Sequence, residues 1–165
     1  MDVVVSALSS YPEFVPVVAP WHWKEWGHTD PGGTLAGWTS GLDRQAGADQ
    51  IPGTLVAVVQ GVPVAAVCLV EGDMPGHDAV AGLSPWIEGL YVDQLARRHG
   101  NATLQMSRCE TWAAALGRDV LYLYTERGSA AEQLYKRLGW QIIRDDHYDA
   151  IAVSVMRKHL CQARR

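Results

Sequence analysis

Residues 87–117 read IEGLYVDQLARRHGNATLQMSRCETWAAALG, and the order of parts within that stretch decides the fold. Residues 87–92 are a short apolar run of strand type. A basic turn follows, Arg97-Arg98-His99-Gly100-Asn101-Ala102-Thr103. Ala102, Met106, Cys109, Ala113 and Leu116 then alternate steps of four and three, which places them on one face of a helix, and Gly117 is well placed to end it. The first turn of a helix has N–H groups with no intrahelical partner and the positive end of the dipole. Gly100 lets the backbone approach an anion closely, and small Ala102 and Thr103 leave room beside it. Arg97 and Arg98 can add charge-assisted bonds. Together these parts make a cradle suited to a pyrophosphate. A solvated basic turn between strand and helix would use the same residues.

Upstream, TLVAVVQGVPVAAVCLV (54–70) reads as two strands folded at Gln60-Gly61. EGDMPGHD is a loop. Pro12, Pro16 and Pro20 punctuate YPEFVPVVAPWHWKEWGH, so a helix there is expected to be short or broken. HTDPGG (28–33) is a turn, and residues 35–46 form a polar, weakly helical stretch. Downstream, VLYLYT (120–125) is a strand. Ser129 and Glu132 form a capping box that opens a helix through Arg137, with Gly139 beyond its end. WQIIR and AIAVSVM close the chain as strands, with Asp145, Asp146 and His147 read as loop. Strands outnumber helices, and hairpins are mixed with strand–helix–strand units. The expectation is a mixed α/β or α+β sheet, not a doubly wound parallel one. With no repeat, low-complexity tract or linker, residues 1–165 read as one domain.

The balance of 18 acids against 14 Lys plus Arg gives a formal charge of −4. That argues against general nucleic-acid binding, which wants a basic face, and mildly favours an amine-bearing or cationic substrate. No apolar run approaches the roughly 18 residues of a membrane span, and the N-terminus lacks a basic, then apolar, leader pattern. Cys68, Cys109 and Cys161 are far apart and odd in number, as suits reduced thiols in a cytoplasm. No His-x-x-x-His or Cys-x-x-Cys pair suggests a metal, and none is expected. Arg157, Lys158, Arg164 and Arg165 read as a solvated basic tail. A Walker loop would need Gly-Lys-Ser or Gly-Lys-Thr, which is missing here. A dinucleotide fingerprint would need three spaced glycines and a later acid, and only Gly100 is in place.

Two motifs in order narrow the reading. Arg97-x-x-Gly100-x-Ala102 resembles the Arg/Gln-x-x-Gly-x-Gly/Ala signature of the GNAT superfamily of acetyl-CoA-dependent N-acetyltransferases. Ala131, Leu134, Tyr135, Leu138, Gly139 and Trp140 are similar to its Ala-x-x-Leu-Tyr-x-x-x-Gly-aromatic segment. The resemblance spans residues 86–156. Relatives differ at Asn101, where many are apolar, at Gln94, where many carry Pro, and at Gly128, where many carry Asn; the backbone cradle depends on none of these positions. The resemblance implies an α/β (α+β) domain: a mixed, mostly antiparallel twisted sheet of six to seven strands flanked by helices, whose splayed central strands form the CoA cleft. It also implies acetyl-CoA as acyl-donor cosubstrate, without a metal, and direct attack by a primary amine in a ternary complex.

Residue by residue, the resemblance places the CoA pyrophosphate on backbone N–H groups from Arg98 to Thr103, thus His99, Gly100, Asn101 and Ala102 as well, with Arg97 beside them. Leu90, Tyr91 and Val92 would pair with the pantetheine amides, and Ser129 joins the cofactor contacts. Tyr135 matches the tyrosine that protonates the departing thiolate; packing on the sheet is its other reading. An alkyl amine of pKa about 10.4 costs roughly 4–5 kcal/mol to neutralise at pH 7, whereas an α-amine costs about 1.4. A base is therefore useful. Glu88, sharing a strand face with Trp86 and Leu90 by alternation, is the candidate, with Glu126 the fallback. Glu88 could equally be a strand carboxylate paired with an arginine.

IEGLYV resembles a stretch of aminoglycoside 6'-N-acetyltransferases, but WHWKEW does not map onto them. Trp21, Trp23, Trp26 and Trp86 could wall a substrate pocket or simply be core; Trp26, Trp86, Glu88 and Glu126 are the substrate candidates. The expected partner is a small-molecule amine, antibiotic or otherwise, or a peptide N-terminus, in a monomer or a homodimer. Two rival classes stay open: a catalytically silent CoA-binding module that docks a protein through its tryptophans, and a nucleotide-binding domain that only mimics the glycine turn.

Overall fold

The computed structural model describes residues 2–161, so Arg164 and Arg165 lie outside the described residues. In chain order the elements are β1 (Val3–Ala7), α1 (Val15–Trp26), α2 (Leu35–Arg44), β2 (Gly53–Val59), β3 (Val62–Val70), β4 (Trp86–Val92), α3 (Asn101–Ala115), β5 (Val120–Glu126), α4 (Ala130–Arg137), β6 (Gln141–Tyr148) and β7 (Ile151–His159). The strands form one seven-stranded sheet in the order β1-β2-β3-β4-β5-β7-β6. Each neighbouring pair is antiparallel except the central β4–β5 pair, which is parallel.

Local chemistry explains most of these elements. Gln60 and Gly61 both take positive φ, 50° and 79°, the primed turn that matches strand twist in a two-residue hairpin. β2 and β3 are apolar on both faces because both are covered. Val56, Ala66, Cys68 and Trp86 point to a layer built by Val15, Val18 and Ala19 of α1 and Leu42 of α2. Leu55, Val67, Leu69 and Ile87 point to Met106, Cys109 and Ala113 of α3 and Tyr135 of α4.

Three expectations need correction, and one strand is added. α1 is an unbroken 12-residue helix despite Pro16 and Pro20. Pro16 sits in the first turn, where no N–H is needed, and both prolines are exposed, opposite the buried Val15, Val18, Ala19 and His22. Losing one bond on the solvent side is outweighed by that stripe. Asp145, Asp146 and His147 are not loop but part of β6, which is exposed for most of its length and paired only with β7; an edge strand needs no apolar alternation and is protected by charge. β1, not foreseen, pairs Val3–Ala7 along β2 as the opposite edge. Arg157 and Lys158 lie inside β7 rather than in a solvated tail, and Lys158 Nζ meets Glu110 Oε2 at 2.8 Å.

Candidate functional site

β4 and β5 share a single register pair, Trp86↔Tyr122, extended by the Tyr122 N–H donating to the Pro85 carbonyl at 3.0 Å. Beyond it the strands part. The gap opens into a cavity of about 540 Å³, lined on one side by residues 87–90 and on the other by residues 123–126. A mixed sheet thus has its middle pried open, leaving the free edge of β4 ready to pair with an extended ligand.

A bulge shapes the β4 wall. Ala66 faces Tyr91 and Cys68 faces Glu88, so Gly89 and Leu90 share the one place opposite Val67. Gly89 takes φ +62° there, which an L side chain adopts only with strain. The extra residue turns Leu90 to the α3 layer, where it packs on the second core cluster. Glu88 therefore shares its face with Trp86 and Cys68 but not with Leu90, which corrects the simple alternation. Trp86 itself is fully buried, its indole N–H donating to the Leu83 carbonyl at 2.6 Å. It packs beneath the site and is not among the residues that line this cavity.

Glu88, Leu90, Glu126, Ser129, Tyr135 and Trp26, chosen from distant parts of the sequence, all line this cavity. Burial, reinforced by the neighbouring Asp73 carboxyl, raises the Glu88 pKa from 4.5 to about 8. Tyr135 is buried and pushed up to about 12 by that burial, so its hydroxyl keeps its proton across the neutral range. Ser129 is committed as the α4 N-cap, accepting from the Glu132 N–H at 3.1 Å. The capping box closes one residue early: Glu132 Oε2 accepts from Gly128 N–H at 3.0 Å and from the Ser154 hydroxyl at 2.9 Å.

Among the cavity residues that escaped the sequence reading are Asp73, Cys68 and His22. Asp73 lies at the start of the loop after β3, its pKa raised by burial against the opposing Met74 N–H. Cys68 hydrogen-bonds Thr54 Oγ1 at 3.3 Å, and burial lifts its thiol to about 12, so it is a poor nucleophile. His22 is 7% exposed and packs on the bulge: a Cβ on Gly89 would come within 3.1 Å of its Cε1. Its Nε2 has no partner among the described residues. Burial drops its pKa to about 4, with the Gly89 backbone pulling weakly the other way, so the ring is neutral at ordinary pH. The glycine inside an apolar strand was the one sequence signal for this corner.

The basic turn lies past the end of β4, outside the cavity lining. Arg97 closes it: Nε donates to the Val92 carbonyl at 3.0 Å, and the guanidinium lies 5.7 Å from the Tyr91 ring centre. Asn101 is buried, and its side-chain N–H donates to the Ala96 carbonyl at 2.9 Å, stapling the turn from inside. Tyr91 stacks on Trp21 at 5.3 Å, which leaves its backbone as the part available to a ligand. Gly100 is the left-handed N-cap of α3, φ +80°, with no side-chain cap. A Cβ there would meet nothing within 4 Å. Among the described residues no backbone carbonyl accepts from the N–H groups of Arg98, His99 or Gly100. With the free N–H groups of the first helical turn, residues 101–103, they form an open concave row of donors. Those donors fit a diphosphate.

The remaining tryptophans divide between packing and wall. Trp23 meets Trp38 edge-on at 5.8 Å between α1 and α2, while Trp26 meets His22 edge-on at 5.4 Å; Trp26 and Trp38 line the cavity and Trp23 does not.

The fold is shared widely among solved acetyltransferases. The Salmonella typhimurium protein yncA, solved with its cofactor acetyl-CoA, superposes with TM-score 0.74 at 14% identity, covering 100% of this chain and 98% of that one. An aminoglycoside 6'-N-acetyltransferase complexed with coenzyme A gives TM-score 0.74 at 14% identity over 98% and 99% of the two chains. The spermidine N-acetyltransferase of Vibrio cholerae, in complex with CoA and spermine, gives 0.74 at 13% identity over 97% and 96%. No curated protein sequence matches. A family profile does, that of the Acetyltransferase (GNAT) family, and it runs over residues 8–140. With the open central strands and the glycine turn already described, that match over most of the chain makes this protein a member of the GNAT acetyltransferase family.

Proposed function

We propose that the chain moves an acetyl group from acetyl-CoA to a primary amine of a small molecule, by direct attack within a ternary complex. The observation that carries this reading is the break between β4 and β5, which has the donor row of the α3 start at one end and Glu88 and Tyr135 lining the gap. N–H groups of residues 98–103 would hold the diphosphate of the donor. Residues 90–92 would pair with its amide-bearing arm as an added strand, and the thioester is the chemistry the donor supplies.

The chain's own groups then do three things. The bulge at Gly89–Leu90 breaks the regular β3–β4 register, and a backbone N–H it leaves unpaired would polarise the reacting carbonyl. Glu88 takes the proton of the incoming ammonium, directly or through water; a base near pH 8 suits alkyl amines better than an ordinary carboxylate would. As the C–S bond breaks, Tyr135 gives its proton to the departing sulfur, and the second proton lost by the attacking nitrogen restores the phenol. A thiol near pKa 8.5 leaves tolerably as thiolate, so the acid is helpful rather than indispensable. Holding amine and acyl carbon in attack geometry is worth up to roughly 7–11 kcal/mol. The high pKa of Cys68 disfavours an acetyl-cysteine route and favours direct transfer.

Thiol release from acetyl-CoA across a panel of amines tests the reading. Amine-dependent release, with an N-acetylated product by mass spectrometry, supports it. Tight CoA binding with no release for any amine would favour a silent binding module, and displacement of the ligand by ATP but not by CoA would favour a nucleotide-binding one.

A further inference from the structure

The cavity is lined by Glu25, Asp73, Glu88, Glu126 and Asp149, and among the described residues no Lys or Arg lines it. Among the described residues none of these five carboxyl groups takes part in an ion pair, although Glu71, Glu110, Glu132, Asp145 and Asp146 elsewhere all do. Even with Glu88 mostly protonated near neutral pH, a cleft lined by acids and, among the described residues, by no Lys or Arg focuses its field on a cation that enters. Aromatic faces alternate with these acids: Trp26 and Trp38 from the helical side, Tyr124 and Tyr148 from the sheet, the last two in edge-on contact at 5.6 Å. Such faces attract cations. A second, independent feature is the unpartnered Nε2 of His22, nine-tenths buried in the same wall. In the neutral tautomer that carries its proton on Nδ1, that nitrogen accepts an N–H.

We infer that the acceptor is a multiply charged amine: one amino group reacts beside Glu88 and His22, and at least one further ammonium is held by Glu126 and Asp149 among the tyrosine faces. The inference rests on the acetyl-transfer reading of the same site and narrows it. A linear polyamine and a polyaminated sugar share this chemistry. A peptide N-terminus, with one positive charge and neutral amides behind it, leaves the outer acids unmatched.

The test compares 1,6-diaminohexane with n-hexylamine, equal in chain and differing by one charge, under saturating acetyl-CoA. The diamine is expected to show a kcat/KM about tenfold higher or more, mostly through KM, as two exposed ion pairs and a cation–aromatic contact would supply. That preference should shrink as salt rises to about 0.5 M. It should also shrink at least about threefold in a Glu126→Gln, Asp149→Asn double variant. Calorimetric CoA affinity in that variant reports that it is folded, and Glu126→Gln alone gives the same reading at smaller size. Spermidine and kanamycin A, run alongside, separate the linear from the sugar-borne source. Equal rates on the two hexyl amines, a trialanine N-terminus that outperforms the diamine, or a preference unmoved by both salt and variant each overturn the inference while leaving acetyl transfer standing. No release with any amine overturns both.

Discussion

Replacing Glu88 by Gln should make the protein slower and more stable at once, and the second effect has a defined pH window. Burial and Asp73 raise the Glu88 carboxyl from 4.5 to about 8 in the native state. Below 4.5 the group is protonated in both native and unfolded chains, so stability does not depend on it. Between 4.5 and about 8 unfolding releases its proton, and stability falls as pH rises; above about 8 the loss is complete. At about 1.4 kcal/mol per pKa unit the full effect is on the order of 4–5 kcal/mol. Water in the open cleft reduces that to about 2–3. Glutamine escapes it. Urea denaturation of both proteins should therefore give near-equal stability at about pH 4.5, and a gap of about 2–3 kcal/mol in favour of Gln at about pH 8.5. Activity should move the other way. With its carboxyl raised to about 8, Glu88 is mostly protonated at pH 7, so the wild-type advantage in kcat/KM on an alkyl amine should grow toward about 10²-fold by about pH 9. On an α-amine, which needs less help, the advantage should be smaller. A stability gap that is flat in pH would falsify the raised carboxyl. The same rate loss on both amine classes would make Glu88 a binding residue and not a base.

Three other perturbations separate the remaining parts. Tyr135→Phe should lower turnover at least about tenfold with CoA affinity intact; unchanged rates from about pH 6 to about pH 9 would remove Tyr135 from the proton-donor role. Gly100→Val places a branched side chain in the open space over the donor row and at φ +80°, so CoA affinity should collapse by about 10²-fold or more, and equal affinity by calorimetry would count against the cradle. Ala150→Gly relieves a non-glycine residue at φ +63° in the β6–β7 turn and should raise stability by about 1 kcal/mol; an unchanged urea midpoint would show that the turn carries no such strain.

The parts of the site legible in the sequence are those built from neighbours along the chain. Strand, glycine turn and helix start at residues 87–103 are one continuous run, and the α4 capping box announces itself by a three-residue spacing. What stayed hidden needed the third dimension or a tolerated exception. The register slip opposite Val67 reverses which layer Leu90 faces, and nothing but Gly89 hints at it. His22 and Asp73 reach the cavity from α1 and from the loop after β3, so their sequence neighbours carry no sign of Glu88. Trp86 looked like a pocket wall because it precedes Glu88, yet the buried face of β4 keeps it in the core. Pro20 misleads because a helix face turned to solvent can lose one hydrogen bond when the opposite stripe is buried. The polar run at residues 145–147 misleads because an edge strand is held by one partner and has no need of an apolar face.

Every assignment of chemistry above assumes where the acyl donor lies. A crystal structure with coenzyme A bound measures that directly. The expected result is the diphosphate on the N–H groups of residues 98–103, the pantetheine arm along residues 90–92 between β4 and β5, and the sulfur within reach of the Tyr135 hydroxyl. Density for the diphosphate away from the α3 start, or an arm that leaves the gap between β4 and β5 empty, would contradict the account.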